Sequence, residues 1–66
     1  MKAHKTVTIK RIIKTIERNN ADCTNTGICI ACGEDAYNVE PDARQYDCEC
    51  CGKLTVYGAE ELLIML

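Results

Sequence analysis

The stretch C29-IACGEDAYNVEPDARQYDCECC-G52 holds five of the chain's six cysteines, in two bursts that each end in Cys-Gly. Cys29-x2-Cys32 is followed by Gly33, and Cys48-x2-Cys51 by Gly52, with fifteen residues between the pairs. Two residues between cysteines let one tight turn aim both sulfurs at one point. Glycine after the second cysteine accepts positive φ, which turns backbone amides toward the sulfurs. Two such turns, brought together by a hairpin, make a tetrahedral cage of four thiolates, and the spacing falls in the C-x2-C-x15–20-C-x2-C class of zinc sites. The expected ligands are therefore Cys29, Cys32, Cys48 and Cys51. Choosing Cys50 in place of Cys51 gives C-x-C and loses the Cys-Gly turn, so Cys50 is read as the tip of the second turn. Cys23 is read as a small buried residue on the approach to the first. His4 has no spacing partner and sits in a basic, mobile terminus, so it is not read as a ligand.

The rest of the composition supports a metal over disulfides. The chain has 66 residues, without Phe, Trp or Ser. A core of this size supplies roughly 3–5 kcal/mol and needs a staple. The opening "MKAHKTVTIKRIIKTIERNN" is broken by charge throughout, so neither a secretory leader nor a membrane span is expected. The expectation is a cytoplasmic protein with reduced thiols, in which paired cysteines hold metal. A redox dithiol belongs with a βαβ pattern, and none is seen.

Between the two cysteine pairs, "EPDA" at 40–43 suits a type I turn, because Pro41 presets φ. Folding the chain there sets Tyr37 opposite Tyr46 in a hairpin. "KLTVY" (53–57) reads as a third strand, and "ADCTNTG" (21–27) as a loop. "TVTIKRIIKTIERN" (6–19) reads as an amphipathic helix with Ile9, Ile12, Ile13 and Ile16 on one face. Thr6 or Thr8 caps its start and Asn19-Asn20 its end; a strand over Lys5–Ile9 is the alternative. "GAEELLIML" (58–66) reads as a second helix, with Glu60 and Glu61 in its first turn. Ala59, Leu62, Leu63 and Leu66 would share its inner face, leaving Ile64 and Met65 to pack on the first helix or to form a self-association surface. The expected fold is a small α+β domain over 1–66: a basic helical arm (1–20), a ribbon of three short antiparallel strands with two knuckles (27–58), and a terminal helix (59–66).

Gly27 to Leu63 resembles a zinc ribbon with rubredoxin-type knuckles. "VEPDARQYDCECCG" followed by "VYGAEELL" resembles small zinc-ribbon proteins of phages and bacteria. The resemblance implies one structural Zn2+ on the four named cysteines, and no catalytic residue. Rubredoxin, an iron electron carrier, shares the knuckles, but its second reads Cys-Pro-x-Cys-Gly and its core is aromatic. Here the second knuckle is "CECCG", which favours zinc.

A four-cysteine site is closed, whereas a catalytic zinc keeps a position open, so no enzyme is expected. Function then lies on surfaces. Residues 1–20 carry six cations against Glu17, while 21–66 carry nine acids against Arg44 and Lys53. One expectation is a regulatory module that meets nucleic-acid phosphates through Lys5, Lys10, Arg11, Lys14 and Arg18. The other is an adaptor or inhibitor that docks a protein through its acidic ribbon face and apolar C-terminus. Oligomeric state is left open.

Overall fold

A computed structural model describes residues 3–65. Helix α1 (Ile9–Asp22) leads into strands β1 (Thr26–Cys29), β2 (Asp35–Tyr37), β3 (Tyr46–Asp47) and β4 (Leu54–Gly58), and helix α2 (Ala59–Met65) follows directly. The strands form one antiparallel sheet in the order β2-β1-β4-β3.

The sheet has four strands, not three. β1 occupies part of what composition reads as a loop, and its short "TGIC" carries no periodic pattern. Its place is fixed by pairing on both sides: Ile28 lies opposite Asp35 in β2 and opposite Tyr57 in β4. The hairpin that would pair Tyr37 with Tyr46 does not form. Tyr37 pairs with Thr26 and Tyr46 with Val56, at opposite edges of the sheet. The turn inside it is real, with the Ala43 N–H donating to Glu40 O at 3.0 Å. The chain then crosses the end of the sheet instead of returning along it. Left-handed Asn38 (φ 59°) and Gln45 (φ 53°) redirect it on either side of the crossing. Gly58 admits this close approach, since a Cβ there would strike the Glu40 and Pro41 carbonyls. Val39 and Ala43, both within the crossing segment, are buried. The Tyr46 hydroxyl donates to the Glu40 carboxylate, which raises the Tyr46 pKa.

Period two along the strands separates two clusters of buried residues. Ile28 and Tyr57, cross-strand partners, face the helices with Val7, Ile12 and Leu62. Cys29 and Val56, the next pair, face the other way with Val39, Ala43 and Cys48. Fully burying Ile12, Ile28 or Leu62 stabilises the fold by roughly 1.5–3 kcal/mol each.

Thr8, not Thr6, caps α1: its hydroxyl accepts from the Arg11 N–H. The helix outruns Asn19-Asn20 and stops at Cys23, which is left-handed (φ 55°) and returns its N–H to Asn19 O. Asn19 instead ties α1 to β1, donating Nδ2 to Thr26 O and accepting the Thr26 N–H. The isoleucine stripe is narrower than its spacing suggests. Ile12 is buried and Ile16 packs at the core's edge, while Ile9 and Ile13 are 50% and 43% exposed. The short α2 covers only part of the α1 stripe. On α2, Ala59 and Leu62 are buried, Met65 packs against the core, and Leu63 and Ile64 are exposed. The Leu66 expectation lies outside the described residues. Glu60 is exposed, but Glu61 is buried and accepts from Arg44 Nε at 2.9 Å. Among the described residues, no helix is long and apolar enough to cross a membrane.

Candidate metal centre

Each cysteine pair is the turn of its own hairpin. The first joins β1 to β2 and the second joins β3 to β4. The two turns repeat the same backbone hydrogen bonds. Gly33 N–H donates to Cys29 O at 2.9 Å, and Gly52 N–H to Cys48 O at 2.8 Å. Cys32 N–H points at Cys29 Sγ (3.5 Å) and Cys51 N–H at Cys48 Sγ (3.4 Å). Gly33 (φ 81°) and Gly52 (φ 76°) hold the positive φ that this turn demands. What brings the knuckles together is the β1–β4 pairing, not a hairpin between them.

The sulfurs of Cys29, Cys32, Cys48 and Cys51 all lie within 4.8 Å of one another. The closest cross-knuckle approaches are Cys29–Cys51 at 3.7 Å and Cys32–Cys48 at 3.6 Å. A regular tetrahedron with metal–sulfur bonds of about 2.3 Å has edges of roughly 3.8 Å. Four cysteines in this arrangement fit a single tetrahedral cation and define a zinc-ribbon-like metal site.

Electrostatics give the same answer. Burial works against the Cys29 thiolate, but the Thr55 hydroxyl at 3.1 Å and the N–H groups of Cys32 and Ala31 outweigh it, bringing its pKa down to about 6. At Cys32 the backbone at Glu34 favours the thiolate. Burial and the neighbouring sulfurs of Cys29, Cys48 and Cys51 oppose it and push the thiol up to about 12. One thiolate is favoured here and four are not, unless a cation offsets their repulsion.

The remaining predicted positions separate clearly. Cys50 is exposed at the tip of the second knuckle, outside the sulfur cluster. Cys23 is not buried; it is the exposed cap of α1. His4 stands outside the cluster, but its surroundings are not those of a loose terminus. Its N–H donates to Ile30 O at 2.7 Å, inside the first knuckle, and its Nδ1 lies 2.8 Å from Thr6 Oγ1. Arg11 completes this clamp, donating to Gly33 O at 2.7 Å and to the Asp35 carboxylate at 2.8 Å. Arg11 is therefore committed to the first knuckle and is not a free phosphate ligand. Lys5, Lys10, Lys14 and Arg18 are exposed, and the ion pairs among the described residues, Arg11–Asp35 and Arg44–Glu61, use none of them. Sequence reasoning missed Thr55 and Asp35, whose roles depend on contacts between residues distant in the chain and leave no local pattern.

No family model, curated protein or solved structure matches the chain. The expected relation to phage and bacterial zinc-ribbon proteins finds no support in these comparisons.

Proposed function

We propose that the four sulfurs hold one structural Zn2+ and that the chain is a non-enzymatic, regulatory binding module that meets nucleic-acid phosphates through the outer face of α1. The convergence of four sulfurs supports the first half. A site with four protein ligands leaves no position for a substrate, which fits a structural role. The second half is carried by Lys10, Lys14 and Arg18. They recur every four residues, fall on one side of α1, and are exposed. Lys5 extends the same charge ahead of the helix. The acidic remainder of the chain restricts a polyanion to this face.

Titration of a duplex oligonucleotide at several salt concentrations tests it. Binding should weaken steeply with salt, with a logarithmic slope of about −0.9 per phosphate contact. Replacing Lys10, Lys14 and Arg18 by Gln should remove most of that slope, and Arg11→Gln should not. Binding that is absent, or insensitive to the triple substitution, contradicts the nucleic-acid reading.

A second reading, a protein-docking adaptor or inhibitor, is supported by the exposed apolar side chains of Leu63 and Ile64 on α2. The electron-carrier alternative requires iron, and metal analysis of the purified protein separates it from both.

A further inference from the structure

Tyr37 and Tyr46, which do not pair with each other, line one groove. Tyr37 on edge strand β2 and Tyr46 on edge strand β3 share it with Val39, Asp47, Glu49 and Leu54. Three of these residues are conspicuously solvent-facing for their size: Tyr37 is 73% exposed, Leu54 60% and Tyr46 41%. Among the described residues, no Lys or Arg lines the groove. The Tyr46 ring is pinned by its hydroxyl's bond to Glu40, so that wall is fixed before any ligand arrives. Among the described residues, β2 and β3 each pair on one side only, which leaves backbone groups on their outer edges available to another strand.

We propose that this groove is a docking site for an extended, basic segment of a partner protein. The chemistry selects that occupant. Two aromatic faces attract a guanidinium or ammonium group, and Asp47 and Glu49 add two carboxylates at the same groove. An extended chain can add to a free sheet edge while its alternate side chains reach the pocket. A nucleic-acid strand could stack on the same rings, but its phosphates would meet these carboxylates. The groove is separate from the basic face of α1 and does not depend on that face binding nucleic acid.

The metal-loaded full chain, titrated with a short synthetic peptide alternating arginine and valine and followed by amide NMR, tests the assignment. Saturable shifts are expected at Tyr37, Tyr46, Asp47 and Leu54, and a glutamate–valine peptide should produce none. Tyr37→Ala with Leu54→Ala should weaken binding about tenfold through lost ring and apolar contact. Asp47→Asn with Glu49→Gln, checked for unchanged metal content, should weaken it and flatten its salt dependence. The assignment is overturned if shifts fall on α1 or are absent, or if the acidic peptide or an oligothymidine binds the groove equally well. It is also overturned if the Tyr37/Leu54 variant binds as the parent does, or if the free protein self-associates through these residues.

Discussion

The two knuckles have the same backbone and opposite surroundings. Both close with the same amide-to-carbonyl bond and the same glycine conformation. The first is clamped from outside by His4, Thr6 and Arg11, and a Cβ at Gly33 would strike the Thr6 hydroxyl and the His4 ring. The second stands in the open: among the described residues nothing lies within 4 Å of a Cβ at Gly52, and Cys50 and Cys51 are exposed. The knuckle motif thus specifies its own turn. Its rigidity is decided by chain elsewhere, here the segment that leads into α1.

Cys29→Ser or Cys48→Ser removes a ligand from both knuckles' shared cation. Metal binding contributes an apparent ~10–16 kcal/mol in small zinc peptides, against the roughly 3–5 kcal/mol of a core this size. Either variant should lose its cooperative thermal transition by circular dichroism. Persistence of that transition would show that the core alone suffices.

Next comes the glycine pair. An alanine at positive φ costs about 1–2 kcal/mol at either site. Gly33→Ala adds a clash of the overpacking kind, about 1–3 kcal/mol, whereas Gly52→Ala does not. Denaturant melts should rank Gly33→Ala well below Gly52→Ala, and equal losses would remove the asymmetry.

Arg11→Ala should act on one knuckle only. Arg11 and Asp35 are partly exposed, at 28% and 43%, so solvent screening holds the loss to about 1 kcal/mol. Hydrogen exchange should quicken at Cys32 and Gly33 and stay unchanged at Cys51 and Gly52. Cys50→Ala should do least, moving stability by under about 0.5 kcal/mol with full metal content. A loss of metal there would make Cys50 a ligand.

The metal cluster was legible because its information is local: spacing and Cys-Gly write the turn directly. α2 and β4 were legible for similar reasons, a periodic run and an apolar alternation that meet at Gly58. The pairing of the strands was not. "TGIC" is too short to show a period, and it becomes a strand because both neighbours lie alongside it. The Tyr37–Tyr46 pairing failed although its turn was correct. Burial of Val39 and Ala43 stabilises a crossing over the sheet, which no local propensity encodes. The cations on α1 were equally visible, yet spacing could not tell Arg11, drawn to Gly33 and Asp35, from Lys10, Lys14 and Arg18.

If one cation held by four sulfurs maintains the fold, titrating the reduced protein with metal across pH should show it. Cys29 is depressed to about 6 from its ordinary value of 9.0, so its contribution to folding is present above the unfolded value and is lost as pH falls through the folded one. Bound metal lowers the thiol values further, and protons compete with it for the four sulfurs, so acidification releases it. One zinc per chain at neutral pH, with metal and the cooperative transition lost together on acidification or chelation, is the predicted result. A reduced, metal-free chain that still melts cooperatively at neutral pH would contradict it.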